Sequence, residues 1–343
     1  MKALLLFLAA ICGLAIPSAA FAQDPLFASS DMIQITIKAP VSTLIRNRDY
    51  SGAIPGVLID PAGQTLPISL RLRGITRRTA EICDFPPLRV DFTAPPPPTS
   101  LFAGQKKLKL VDQCRNSGSY QQYILLEYAA YRLYNLLTPH SFRVRLAYVT
   151  FQGDDGRTIS QRQSFFIEDL KDVAKRNNTV ETHAPPRIGL AELNPVDAAR
   201  YAMFEHMIAN HDWSMLAGPQ GDECCHNAKL IGPRGAASVI PIPYDFDYSG
   251  FVDPPYATPP DQLKINDVKQ RFYRGYCSEN QYALAAAQQF RAAQPQMLAT
   301  LAQTPGLDPK IEQRAANYLG GFFADIATDA SVGGKILNHC LAG

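Results

Sequence analysis

The spacing of apolar residues changes along this chain, and that change constrains the fold more than any other feature of the sequence. In the first half, over residues 33–37, 68–72 and 144–148, apolar side chains alternate with polar ones. Such alternation is typical of half-buried β-strands. In the second half the apolar spacing and the capping residues are those of helices. The sequence therefore predicts a strand-rich N-terminal part, residues 23–170, and a mainly helical C-terminal part, residues 171–343.

Two helices have distinct sequence signals. One is expected over residues 120–137, inside the strand-rich part, where apolar side chains recur at helical spacing. Asn194 is a favourable N-cap and Pro195 suits the first helical position, so another helix should run from Pro195 to about Ala209. The remaining expected elements are a β-hairpin and two helices, over residues 228–231, 239–242, 279–301 and 309–328.

The first 22 residues have the pattern of a secretory signal peptide. Lys2 supplies the positive start, residues 4–16 are apolar, and Ala20-Phe21-Ala22 matches a cleavage site. We therefore expect a mature chain that is exported to the periplasm or secreted. No later apolar run reaches the roughly 20 residues needed to cross a bilayer, so stable membrane insertion is not expected.

Six cysteines follow the expected signal peptide, and an even number in an exported chain predicts a disulfide framework. The predicted pairing joins Cys83 to Cys114 and divides Cys277 and Cys340 between the adjacent cysteines 224–225. Zinc binding is disfavoured because there is no Cys-x-x-Cys, and two adjacent cysteines chelate one ion with poor geometry.

The overall charge excludes some classes of partner. With 33 basic and 31 acidic residues, the chain has no excess charge to attract nucleic acid or a membrane surface. The sequence also has no Gly-x-Ser-x-Gly and no His-Glu-x-x-His, so a hydrolase or zinc protease has little support. The oligomeric state is left open.

A series of polar motifs in the second half has the composition of a phosphoryl-transfer site. Asp212 follows Asn210-His211, Asn227 follows His226, and Asp245 and Asp247 flank a phenylalanine. Phosphoryl transfer uses a carboxylate to accept the proton of the acceptor hydroxyl, together with oxygen ligands for Mg²⁺. Asp212 is predicted to be the base, and Asn227, Asp245 and Asp247 the metal ligands. Asp and Asn are also common in turns and helix caps, which is the alternative interpretation.

These motifs resemble the CotH kinase-like family of atypical kinases. The matching pieces also include Leu-Arg-Leu-Arg-Gly at residues 70–74, the strand at 85–92 and Lys-Leu-Lys-Leu at 107–110, so that the resemblance extends from about residue 68 to residue 277. It implies an α+β, protein-kinase-like fold of two lobes, with a strand-rich N-lobe and a mainly helical C-lobe. It also implies ATP and Mg²⁺ as cofactors, and a protein hydroxyl in the cell envelope or outside the cell as acceptor.

The chain departs from the family pattern inside the catalytic loop. Related atypical kinases keep Asn-x-Asp-x-His-x-x-Asn compact, whereas here residues 213–225 separate Asp212 from Asn227. This insertion either forms a substrate-binding loop or displaces Asn227 and leaves an inactive protein. His226 either orients the loop through a hydrogen bond or has a structural role.

The nucleotide phosphates require cations and backbone N–H groups. Arg73 and Gly74 directly follow a strand, in the place of the family's Arg-Gly turn, and are the first choice for this contact. Arg73 instead lines the wet face of the strand in the alternative interpretation. By the resemblance, Glu127 in the 120–137 helix pairs with a phosphate-binding Lys or Arg, whereas an exposed Glu is the ordinary outcome.

Two functions therefore follow from the sequence. The first is an ATP- and Mg²⁺-dependent phosphotransferase acting on a protein hydroxyl in the envelope. The alternative is a binding or envelope-structural protein without turnover, because a compartment that favours disulfides offers little ATP.

Overall fold

The N-terminal part of the molecule is a closed β-barrel of seven strands, in a computed structural model that describes residues 24–342. The strand order around the barrel is β1-β2-β3-β4-β5-β7-β6, and only the β1/β6 pair is parallel. The strands are β1 (Ile33–Lys38), β2 (Ile54–Ile59), β3 (Thr65–Leu72), β4 (Leu88–Phe92), β5 (Lys107–Asp112), β6 (Val144–Gln152) and β7 (Thr158–Ile167).

The predicted two-lobed, protein-kinase-like fold is wrong. β1 pairs in parallel with β6 from Ile33 opposite Ala147 to Lys38 opposite Gln152, and this ladder closes the sheet into a barrel. An apolar residue at every second position shows that a strand has one buried face. It does not distinguish an open sheet from a closed barrel, because both have this period.

The helices lie mostly in the C-terminal part of the chain, together with a two-stranded sheet. The helices are α1 (Val41–Arg46), α2 (Gly118–Asn135), α3 (Leu170–Arg176), α4 (Pro195–Ile208), α5 (Asn280–Ala302), α6 (Pro309–Asp325) and α7 (Asp329–Lys335). The sheet is the hairpin of β8 (Ala228–Ile231) and β9 (Ile240–Pro243). The expected helices and the hairpin are confirmed. The predicted cap is confirmed as well, because the Asn194 side chain accepts hydrogen bonds from two backbone N–H groups of α4.

Helix α2 joins the barrel to the C-terminal helices. One apolar core fills the barrel, and a second, larger core contains α2, residues of β6 and β7, and the C-terminal helices. The Tyr131 ring of α2 lies 4.6 Å from the ring of Phe246, and Tyr134 lies 4.8 Å from Phe204. The side of α2 that carries Tyr131 and Tyr134 is therefore buried against the C-terminal part.

Three cysteine pairs lie at disulfide distance, and they agree with the predicted framework only in part. Cys83 pairs with Cys114 as expected, but Cys224 pairs with Cys225, and Cys277 with Cys340. The predicted division of Cys277 and Cys340 between residues 224 and 225 is wrong. A backbone bridge between Tyr276 and Leu341 places the C-terminal segment beside Cys277, and the sequence has no local signal for that long-range contact.

Within residues 24–342, each helix is too short or too polar to span a bilayer. The predicted signal peptide, residues 1–22, lies outside the described residues.

Candidate functional site

The loop that carries Asp212 directly follows α4 and is held by backbone contacts. The Asp212 N–H donates to Asn210 Oδ1 at 3.1 Å, and the Trp213 indole donates to the Asn210 carbonyl at 3.0 Å. Arg274 donates to the carbonyls of His211 and Trp213 at 2.7 and 3.0 Å, with its guanidinium 4.7 Å from the indole ring. These contacts fix the direction in which Asp212 leaves the helix.

The insertion between Asp212 and Asn227 forms a loop that returns to its starting point. The Ser214 N–H donates to the His226 carbonyl at 2.9 Å, and the two residues form an isolated antiparallel bridge. Asn227 Nδ2 consequently donates to the Asp212 carbonyl at 2.6 Å and to Asp212 Oδ2 at 3.0 Å. The insertion therefore does not separate Asn227 from Asp212.

His226 and Asp212 form a partly exposed pair. His226 Nε2 lies 2.7 Å from Asp212 Oδ1, and the two side chains are 38% and 42% exposed. The hydrogen bond to Asp212 raises the pKa of His226, since it stabilises the imidazolium. Both side chains are exposed enough to contact a ligand. The 2.7 Å contact with Asp212 is the hydrogen bond that an orienting role of His226 requires.

Asp245 approaches this pair through the β8/β9 hairpin. Ala228 pairs with Pro243, so Asn227 and Tyr244 are neighbours across the ladder, and the Tyr244 N–H donates to the Asn227 carbonyl at 3.2 Å. Asp245 follows in a left-handed conformation, with φ of 69°, and its N–H donates to Tyr131 Oη at 2.8 Å. Within residues 24–342 the Asp245 carboxylate has no hydrogen bond or ion pair, which leaves its oxygens available.

Asp247, the second predicted ligand of the Asp-Phe-Asp segment, is engaged in a buried ion network. Its carboxylate lies 3.7 Å from Arg77 Nη1 and accepts a hydrogen bond from Tyr256 Oη at 3.2 Å. Arg77 also bonds Glu127 at 3.1 Å and the Asp112 carbonyl at 2.5 Å. Burial raises the pKa of both Glu127 and Asp247, and the Arg77 charge opposes that shift. These partners make Asp247 a poor candidate for a metal ligand.

The Glu127 contact differs from the ordinary expectation for a glutamate. Its side chain is buried, not exposed, and its partner is Arg77 rather than Arg73. The signal was present in the sequence, because Glu127 is the one charged residue in the run 124–131 of α2, which is otherwise apolar or aromatic and is buried on all sides. A charged residue in such a run requires a buried partner.

Three cations lie near Asp245. Lys109 Nζ is 4.2 Å and Lys229 Nζ 5.3 Å from the Tyr244 ring centroid. Burial, with the charges of Arg73 and Lys229, lowers the pKa of Lys109 to about 7, and the charge of Asp245 opposes this shift. An anionic ligand here would relieve the repulsion among the three cations. Lys229 was missed by the sequence reasoning, since a lysine in a short strand has no distinctive signal.

Gly74 lies in an exposed turn next to Arg73. Its φ of +74° is in the left-handed region that favours glycine, whereas an added Cβ would meet only Pro87, at 3.9 Å. The left-handed backbone conformation therefore explains why a glycine occupies this position, and steric crowding does not. The Arg73 N–H donates to the Pro87 carbonyl at 3.1 Å, so the turn has one backbone anchor.

The side chains fit a magnesium ion in part. No group of three or more His, Cys, Asp or Glu suitable for a metal occurs within residues 24–342. Mg²⁺ needs few protein ligands, because water and phosphate oxygens complete its octahedron. Asp245 offers a carboxylate with no partner, and Asn227, whose Nδ2 bonds Asp212, has its amide oxygen left. These two residues fit the ion, and Asp247 does not.

Comparison with known proteins gives no assignment. No protein-family model matches the chain, and no curated protein matches it.

Proposed function

We propose that this protein transfers a phosphoryl group from ATP to a hydroxyl of a protein in the envelope or outside the cell, with the help of Mg²⁺. The observation that supports it most is the contact between Asn227 and Asp212, at 2.6 and 3.0 Å, despite thirteen intervening insertion residues at 213–225. This contact places the proposed base, Asp212, next to the proposed amide ligand, Asn227, close to Asp245. The proposal depends on this site and not on the overall fold.

Asp212 and His226 act on the acceptor hydroxyl. Asp212 accepts its proton, and His226, 2.7 Å away, orients the carboxylate. The acceptor reaches them because both side chains are partly exposed. When bound by Asn227 and Asp245, Mg²⁺ supplies charge neutralisation for the phosphate oxygens.

The phosphates are held by the cations around Asp245. Lys109 and Lys229 lie close to the Tyr244 ring, and Arg73, directly after β3, is near enough to Lys109 to affect its charge. Phosphate binding would restore the full charge of Lys109. The buried Arg77–Glu127 ion pair links α2 to the segment that follows β3, which fixes the position of that segment next to the site.

One observation favours the alternative, a binding protein without turnover. Both Asp212 oxygens are already engaged, Oδ1 with His226 and Oδ2 with Asn227. An acceptor hydroxyl must therefore displace one of these donors before Asp212 can accept its proton.

Thermal unfolding with and without ATP and Mg²⁺ tests the binding step. Ligand at 100 times its Kd stabilises the folded state by about 2.7 kcal/mol, so the parent should show a clear increase in Tm. Asp245→Asn should reduce this increase strongly because it weakens metal binding, whereas Asp212→Asn should keep it. Asp154→Asn, in the exposed turn between β6 and β7, is the matched control.

Transfer of radiolabelled phosphate to envelope proteins tests the chemical step. Asp212→Asn should lower the rate by roughly 10²–10⁴-fold, and Asp154→Asn should leave it unchanged. Nucleotide binding with no transfer by the parent would favour the binding protein. If Mg²⁺ and ATP do not change the parent's Tm, the phosphotransferase is excluded and the binding or envelope-structural protein remains.

A further inference from the structure

A polar groove of about 560 Å³ lies between the N-terminal segment, the end of α2 and the start of β6, and shares no residue with the candidate site. We call it the arginine groove, after Arg132, Arg143 and Arg176 in its wall. Hydroxyl groups of Ser29, Ser30, Thr138 and Ser141 also line it. None of its lining residues is acidic, although the whole chain is nearly balanced in charge.

Two of the three arginines form no ion pair with a carboxylate within residues 24–342, although the Arg143 charge acts on Asp24. Arg176 is neutralised by the buried Glu168, with bonds of 2.9 and 3.1 Å. The Arg132 guanidinium donates to Tyr128 Oη at 3.0 Å, and neither Arg132 nor Arg143 has an ion pair within the described part of the chain. The groove therefore carries a net positive charge in a partly desolvated place, where it attracts an anion.

The walls of the groove are held in place by the protein itself. The buried Arg145 donates to the carbonyls of Leu26 and Ser29 at 3.2 and 2.7 Å, which fixes the N-terminal wall. Asn135 Nδ2 donates to Ser141 Oγ at 2.9 Å and to the Phe142 carbonyl at 2.8 Å. A preformed wall reduces the entropy that a ligand loses on binding.

We propose that the arginine groove binds a small polar molecule that carries a tetrahedral oxyanion on a polyhydroxylated body, such as a phosphorylated or sulfated sugar. Guanidinium groups bond two oxygens of phosphate or sulfate at once, which suits Arg132 and Arg143. The Ser30 and Thr138 hydroxyls, which donate to no protein group within residues 24–342, provide partners for a body rich in hydroxyl groups. The volume lies within the range of small-molecule sites.

Calorimetric titration of the full chain tests the proposal. Glucose 6-phosphate should bind with 1:1 stoichiometry in the groove and more tightly than inorganic phosphate, whereas glucose should not bind. Arg132→Gln and Arg143→Gln should each weaken this binding at least tenfold. Arg157→Gln is the matched control, because Arg157 is 88% exposed in the β6–β7 turn and pairs only with Asp155. A parallel titration with glucose 6-sulfate assigns the oxyanion to phosphate or sulfate.

A second variant separates the groove from the candidate site. Lys109→Met should leave glucose 6-phosphate binding in the groove unchanged, whereas it should weaken ATP binding if the proposed function holds. The proposal is overturned if the parent shows no saturable binding of either sugar ester, or if binding persists in both arginine variants. Loss of binding in Lys109→Met alone would also overturn it, by placing the ligand in the candidate site.

Discussion

Two kinds of buried ionisable residue occur in this protein. The Arg77, Glu127 and Asp247 side chains satisfy one another, so their charges are partnered inside the molecule. His206, near the end of α4, is buried and forms no ion pair within residues 24–342, and its ring lies edge-on to Tyr273 at 5.7 Å. The raised pKa of Glu127 and Asp247 makes the folded state take up protons more readily than the unfolded state, whereas the lowered pKa of His206 does the reverse, so the two kinds have opposite consequences in acid.

His206 should make the protein sensitive to acid. Burial, together with the charge of Arg271, lowers its pKa from 6.5 to about 3. The folded state therefore keeps His206 neutral while the unfolded state takes up a proton, so stability falls as the pH decreases from about 6.5 toward 3. The slope contributed is about 1.4 kcal/mol per pH unit. Urea unfolding at pH 7, 6 and 5 measures it.

A matched pair of variants isolates the His206 contribution. His206→Phe keeps an aromatic ring against Tyr273 but cannot take up a proton, so the free energy of unfolding should depend less on pH. His183→Phe removes an exposed histidine and should keep the parent slope. Equal slopes for the parent and His206→Phe would contradict the assignment.

At the scale of single elements, local signals predicted more than did long-range ones. The α4 cap and the β8/β9 hairpin follow from neighbouring residues, and both lie within one or two residues of the expected bounds. The parallel β1/β6 pair joins residues more than a hundred positions apart. No local pattern indicates which edges meet, so the barrel could not be predicted.

The candidate site shows the same division. The sequence left open whether the insertion displaces Asn227 from Asp212, and the Ser214–His226 bridge explains why it does not. The partner of Glu127 was not predicted. It depends on the short turn after β3, which brings Arg77 and not Arg73 to α2.

The α4 cap provides a prediction about a single helix end. Asn194 Oδ1 accepts hydrogen bonds from the N–H groups of Val196 and Asp197, both at 3.1 Å. Asn194→Ala leaves these donors without that acceptor and should cost about 1 kcal/mol in the free energy of unfolding. Asn194→Asp keeps an acceptor and should stay within a few tenths of a kcal/mol of the parent. Urea denaturation distinguishes the two, and equal losses would argue against capping.

At the scale of the whole molecule, the larger of the two apolar cores, which contains α2, joins the barrel to the C-terminal helices. Residues Val144 and Leu146 of β6 and Phe165 of β7 belong to the same apolar cluster as the residues of α4 and α5. Such shared burial couples the two parts energetically, because unfolding either one exposes apolar surface of the other. We therefore expect one cooperative unfolding transition.

Removal of the C-terminal disulfide tests this coupling. Cys277 and Cys340 are 63 positions apart, so the double change to serine should cost roughly 4 kcal/mol by loss of the cross-link. Trp213, the only tryptophan, reports on the candidate site, and far-UV circular dichroism reports on the whole fold. Both signals should shift to lower urea by the same amount, because the larger core, which contains α2, makes the two parts unfold together and share the loss of stability. A tryptophan transition separated from the dichroism transition would show that the two parts unfold independently.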